Sequence, residues 1–166
     1  MPVSDQGVNL ERYMFIPRTL VFITGGNKLL LLRGDKDKRL WPGLYNGIGG
    51  HVEQGEDILA AAQRELFEET GMTSCNLWLC GITVINTRTN PGVCIYIFRG
   101  ECSKSEFVLS KEGDLQWINI SDFHNLPLVP DLPALLPRIL NMSKGESPFS
   151  AYSEYNNIDE LVITIK

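Results

Sequence analysis

At 166 residues, with 43% apolar and 21% charged side chains, the chain has the make-up of one ordinary globular domain large enough to bury a core. Its net charge of −5 excludes the basic stripe needed to grip long nucleic acid. No run approaches the roughly 18 apolar residues of a membrane span.

Residues 1–15 lack the charged start and apolar stretch of a secretory signal and read as a loose lead-in, so a cytoplasmic location is expected. Residues 19–24 (TLVFIT) and 28–33 (KLLLLR) are strand-length apolar runs. Gly25, Gly26 and Asn27 tolerate positive φ and turn them into a hairpin. A charged loop over 34–39 and a Trp41-Pro42-Gly43 turn lead into a short strand over 44–50 (LYNGIGG). The spacing of Ile58, Ala62 and Leu66 predicts a helix over 57–70, with Asp57 as its cap and Gly71 as its stop. Residues 75–84 and 93–102 form another strand pair, and 115–120 a further strand. A short helical turn is expected at 121–125 and a helix over 130–142, with Pro137 forcing a kink or a late start. Residues 149–155 and 161–165 close the chain as a hairpin. Strands surround a central helix without steady β-α-β alternation, which gives an α+β class or a mixed-sheet sandwich in a single domain spanning 1–166. The four cysteines (Cys75, Cys80, Cys94, Cys102) form no C-x-x-C pair and are expected to be buried structural thiols.

Charge is unevenly placed. Residues 50–72 carry six acids (Glu53, Glu56, Asp57, Glu65, Glu68, Glu69) against one base, Arg64. Glu65, Glu68 and Glu69 stand at i, i+3 and i+4, on one helix face, where like charges repel by a few tenths of a kcal/mol per pair. A solvated acidic face is one reading. The other is a site for a hard cation such as Mg²⁺ or Mn²⁺, which prefers carboxylate oxygens and water.

The stretch GHVEQGEDILAAAQRELFEETGM over 50–72 resembles the box of the Nudix hydrolase family, G-x5-E-x7-R-E-U-x-E-E-x-G-U with U apolar. Gly50, Glu56, Arg64, Glu65, Leu66, Glu68, Glu69, Gly71 and Met72 fill all nine specified positions. The resemblance implies a Nudix-type α/β/α sandwich with a mixed central sheet. It implies metal binding by Glu65, Glu68, Glu69 and the Gly49 carbonyl, with Arg64 orienting the glutamates and Glu56 fixing the loop against the helix. The catalytic base differs among family members, which leaves Glu65 and Glu68 as candidates.

Beyond the box, Glu112, ahead of the strand LQWINI, resembles a further ligand or base of the branch that degrades oxidised purine nucleoside triphosphates; Glu101 and Glu106 are alternatives. Asn46 and Asp131 match that branch's base-contacting positions, against readings as a strand-end turn and a helix cap. Val129 stands where the branch has a stacking tryptophan, so Tyr45, Tyr96 or Trp117 would have to supply the platform. Lys36, Lys38 and Arg39 are candidate phosphate contacts. The expected activity is Mg²⁺-dependent (or Mn²⁺-dependent) pyrophosphohydrolysis of a nucleoside triphosphate. Its rivals are a hydrolase of a linked nucleoside diphosphate, such as ADP-ribose or a nucleotide sugar, and a nucleotide-sensing domain. Either a monomer or a homodimer is compatible, with a small nucleotide as partner, no long nucleic acid and no membrane.

Overall fold

The computed structural model describes residues 2–37, 40–102 and 113–166. Lys38, Arg39, Glu106 and Glu112 lie outside them. Eight strands form one mixed sheet: β1 (Phe15–Gly25), β2 (Lys28–Gly34), β3 (Tyr45–Asn46), β4 (Asn76–Asn86), β5 (Gly92–Glu101), β6 (Gly113–Asn119), β7 (Phe149–Tyr155) and β8 (Leu161–Ile165). Their order is β3-β2-β1-β5-β4-β7-β8, with β6 paired to β2. β1 runs parallel to β5 and β4 parallel to β7; the other strand pairs are antiparallel.

The continuous apolar runs of β1 and β2 follow from burial on both faces. Leu20, Phe22, Leu29 and Leu31 point into a core shared with helix α2 (Leu132–Asn141). Val21, Ile23, Leu30 and Leu32 point the other way, into a core shared with helix α1 (Ile58–Thr70). One helix on each side of the sheet makes the expected α/β/α sandwich.

α1 begins where Asp57 accepts the backbone N–H groups of Leu59 and Ala60, both at 2.9 Å. It ends where left-handed Gly71 donates to the Phe67 carbonyl at 2.7 Å. α2 starts two residues later than the sequence indicates and continues through Pro137 as helix. Strand β1 starts at Phe15, inside the expected lead-in, because the parallel ladder to β5 begins there, Phe15 opposite Gly92. The strand expected over 44–50 shrinks to two residues for a related reason. β1 and β2 diverge from their hairpin, and the chain from Tyr45 to His51 enters the gap. It pairs with β2 through Tyr45 and Asn46, then with β1 through Ile48 and His51. This wedge delivers the glycines to the glutamate-bearing face of α1.

All four cysteines are buried free thiols. Burial raises the Cys75 thiol to about 12 and that of Cys80 to about 11, which keeps both protonated and unreactive at neutral pH. Among the described residues no helix is long and apolar enough to cross a membrane.

Candidate active site

The helix face read as one acidic stripe divides in two. Glu65 and Glu69, four residues apart, both line a cavity of about 700 Å³. Glu69 is only 4% exposed and the Glu65 side chain 14%. Glu68 lies outside the lining and its side chain is 57% exposed.

Arg64 organises this end of α1. Its Nε donates to Glu56 Oε2 at 3.0 Å and its Nη2 to Glu56 Oε1 at 2.7 Å. Nη1 donates to Glu65 Oε1 at 2.9 Å and to Glu68 Oε2 at 3.3 Å. Nη2 also reaches the His51 carbonyl at 3.0 Å. Glu56 in turn accepts the Glu53 backbone N–H at 2.7 Å. These donors, with Arg64 first, lower the Glu56 carboxyl to about 2. Its carboxylate partners likewise raise the Arg64 guanidinium above its ordinary value. The loop from His51 to Glu56 is thereby pinned to the helix, as the box position of Glu56 implied.

The glycines are a packing requirement here. A Cβ on Gly50 would fall on the Glu65 carboxylate, and one on Gly49 would fall on the Thr19 carbonyl. Thr19 itself donates its backbone N–H to the Gly50 carbonyl at 2.9 Å. At Gly49 the neighbour is backbone and cannot yield, so only glycine fits there, whereas at Gly50 the Glu65 carboxylate would have to move.

The donor set suits a hard divalent cation: carboxylates of Glu65, Glu68 and Glu69, with Gly49 also lining the cavity. Among the described residues these side chains do not converge as a closed group of three ligands; Arg64 Nη1 bridges Glu65 and Glu68. Glu112 falls outside the described residues, and Glu101, exposed at the end of β5, is not a lining residue.

The same cavity is lined by Asn46 and Asp131. The backbone explains their meeting. Tyr45 donates to the Pro127 carbonyl at 2.8 Å, and Val129 donates to the Tyr45 carbonyl at 3.0 Å. The stretch before α2 therefore runs alongside β3 and brings Asp131 round to Asn46. Asn46 Oδ1 accepts the Gly47 N–H at 2.8 Å. Asp131 occupies the N-cap position of α2, its carbonyl accepting the N–H groups of Ala134 and Leu135 at 3.2 and 3.1 Å, but its side chain makes no capping bond. Burial raises its carboxyl above the ordinary value.

Two expected contacts are not brought to the cavity. Tyr45 is adjacent to Asn46 in an extended strand and so points to the opposite side. It is buried in the α2-side core, with its hydroxyl donating to Gln116 Oε1 at 2.8 Å. Lys36 is exposed and does not line the cavity, and the other loop cations lie outside the described residues. Tyr96 and Trp117 pack against the α1-side core. The aromatic side chains that do line the cavity are Trp41, 41% exposed at its mouth, and Tyr155 from the end of β7. Arg18, Ile85, Tyr155 and Leu161 were missed by sequence reasoning. They come from β1, β4, β7 and β8, and no spacing rule links them.

A family model described as the NUDIX domain matches residues 14–139. The oxidized purine nucleoside triphosphate hydrolase of Danio rerio is 30% identical over 145 residues, 87% of this chain and 89% of that protein. The MutT protein of Bacillus halodurans has the same fold, with a TM-score of 0.77 at 23% identity over 92% of this chain and 98% of that one. So does the NUDIX domain of Shewanella oneidensis NrtR, solved in complex with ADP ribose, with a TM-score of 0.68 at 15% identity over 83% and 96%. A box intact at every position, folded so that Arg64 ties its loop to its helix on one wall of a cavity, thus sits within a match spanning most of the chain: the protein belongs to the Nudix family and is a hydrolase.

Proposed function

We propose that this hydrolase cleaves a phosphoanhydride in a nucleoside triphosphate and releases the monophosphate and pyrophosphate. The observation that carries the reading is one cavity lined both by Glu65 and Glu69 of α1 and by Asn46 and Asp131. A cavity of about 700 Å³ accommodates a nucleotide with phosphates toward α1 and base toward β3. Similarity to an oxidized purine nucleoside triphosphate hydrolase supports the same assignment, with an oxidised purine as the first base to test.

Glu65, Glu68, Glu69 and the Gly49 carbonyl would hold Mg²⁺ or Mn²⁺, with Glu112 a further candidate. The chemistry such a cation supplies is screening of phosphate charge and a lowered pKa for water. The chain's own contribution is positional. Arg64 fixes the glutamate carboxylates, and Glu65 or Glu68 accepts the proton as water attacks phosphorus in line. One P–O bond forms to water, the anhydride P–O bond breaks, and its electron pair leaves with pyrophosphate. The Asn46 amide donates to and accepts from a base edge, and Asp131 reads the same edge. Trp41 and Tyr155 are the aromatic surfaces for the base, replacing the tryptophan that Val129 displaces.

A second reading, hydrolysis of a linked nucleoside diphosphate, is favoured by the NrtR domain's complex with ADP ribose. In either case the partner is a small nucleotide and the enzyme a single cytoplasmic domain, as a monomer or homodimer. The test is a panel of normal and oxidised triphosphates, ADP-ribose and nucleotide sugars, with Mg²⁺ and with chelator. Chelator-sensitive pyrophosphate release from triphosphates is expected. Monophosphate pairs from ADP-ribose or sugars would transfer the assignment to the second reading, and no turnover of any member would overturn both.

A further inference from the structure

Arg18 is the one lysine or arginine among the described residues lining the cavity, which is otherwise bordered by Glu53, Glu65, Glu69 and Asp131. It lies on β1 two residues before Leu20, on the same strand face. On one side it is in register with Ile95 of β5, itself a lining residue. On the other it bridges to His51, next to the glycine turn. Arg18 thus stands where the apolar cavity floor meets the loop that packs on Glu65.

Its side chain is partly buried, and Nε is cut off from water without a hydrogen-bond partner among the described residues. Two other arginines near the core have acceptors at their terminal nitrogens, although Arg99 Nε, like Arg18 Nε, is buried without a partner among the described residues. Arg64 is held by three glutamates and a carbonyl. Arg99 Nη1 donates to the carbonyls of Ile139, Leu140 and Met142 at the end of α2. A guanidinium N–H withdrawn from water with nothing to bond is costly unless a ligand supplies the acceptor. The planar donor fork of arginine matches phosphate oxygens.

We infer that Arg18 is a specificity-determining residue that binds a phosphate oxygen of the bound nucleotide, one that the carboxylate helix does not hold. The inference rests on the nucleotide reading of the cavity. Arg18 rewards the charge of the 5′-phosphate and offsets the repulsion from the four surrounding acids. It adds nothing to recognition of the base.

The test is calorimetric binding of guanosine against GMP, and adenosine against AMP, to the full chain with Mg²⁺, none of which presents a phosphoanhydride to be cut. The wild type is expected to prefer each monophosphate to its nucleoside, with the preference shrinking as salt is raised. Arg18→Gln should lose roughly tenfold or more in monophosphate affinity while nucleoside affinity stays unchanged, and Arg18→Lys should recover part of the loss. Parallel weakening of nucleoside and monophosphate in both variants, or no weakening of either, would overturn the role of Arg18 while leaving the nucleotide reading intact. If the wild type binds none of the four probes, the nucleotide reading fails and this inference with it.

Discussion

Glu56 and Arg64, eight residues apart, meet through two side-by-side hydrogen bonds, Nε to Oε2 at 3.0 Å and Nη2 to Oε1 at 2.7 Å. The remaining donor of Arg64, Nη1, is shared between Glu65 and Glu68. In the proposed mechanism Glu56 therefore acts through a second residue. It fixes the guanidinium, and the guanidinium fixes the carboxylates.

Removing the Glu56 charge should loosen this arrangement without unfolding the helix. Glu56→Gln is expected to cost about 10–100-fold in activity, the usual effect of an outer partner of a metal ligand. The same pair predicts an acid dependence. The folded carboxyl lies at about 2 against an ordinary 4.5, so the bridge contributes fully above pH 4.5. Its contribution declines as pH falls toward 2. Acid unfolding followed by circular dichroism should show the wild type more stable than Glu56→Gln at pH 6 and equal to it near pH 2. A constant gap across that range would mean that the pair does not titrate as described.

Gly50→Ala tests the close approach of loop and helix. Its Cβ would come within 2.6 Å of the Glu65 Cδ, and the side chain must move to make room. Displacement of a reacting group by about 1 Å can cost on the order of 100-fold in rate. The expected result is a loss of that order in kcat with little change in Tm, because the atom that yields is the end of a side chain. Full activity in the variant would show that the position of Glu65 is not critical.

Exposure separates the two remaining carboxylates. The Glu68 side chain is 57% exposed, whereas Glu69 is buried between helix and sheet. A metal ligand stabilises transition-state charge by several kcal/mol, so Glu68→Gln and Glu69→Gln should each lower turnover by roughly 100-fold or more. Mn²⁺ titration followed by electron paramagnetic resonance should show weaker binding in both. Unchanged rates in both variants would eliminate the proposed metal site.

How much of this was legible in advance depends on the kind of signal. The box could be read because nine side chains at fixed spacing lie on one loop and one helix, where sequence distance is nearly spatial distance. The strands could be located but not oriented. With both faces of the sheet covered, Leu29 and Leu30 are equally apolar although they belong to different cores. Tyr45 was misassigned for the same reason, since a two-residue strand carries no alternation from which to tell inside from outside. Arg18 and Tyr155 could not be found at all. The parallel pairings β1 with β5 and β4 with β7 bring them to the cavity, and parallel neighbours leave no turn in the sequence to announce them.

Asp131 joins a stability prediction to a functional one. Burial raises its carboxyl above the ordinary 3.8, so the cost of burying its charge is absent well below that pH. The cost grows as pH rises through 3.8 toward the folded value and is then constant. Asp131→Asn removes the charge and should raise Tm at pH 7 while leaving it unchanged near pH 3. It should also change preference among bases and flatten the acidic limb of the kcat/KM profile. A variant less stable than the wild type at pH 7 would show that polar contacts repay the burial of this charge.

A distant arginine also ties down the turn of the C-terminal hairpin that the β4–β7 ladder brings to the cavity. Arg88, left-handed in the turn between β4 and β5, donates from Nη2 to the carbonyls of Tyr155 and Asn156 at 2.7 and 2.6 Å. Its Nη1 meets Asp159 Oδ1 at 3.3 Å. Tyr155 and the Leu161 opposite it in register both line the cavity, far along the chain from the box. Arg88→Ala should release the turn, cost about 1 kcal/mol of stability, and raise KM severalfold as the wall loosens. The carboxylates of α1 are untouched, so kcat should hold. Arg88→Lys should restore only part of the affinity, because a single ammonium nitrogen cannot hold the two carbonyls and Asp159 Oδ1 at once as Nη2 and Nη1 do. Steady-state kinetics separate the cases: a fall in kcat at constant KM would mean that the hairpin acts on the chemical step, and that Tyr155 does more than bound the nucleotide.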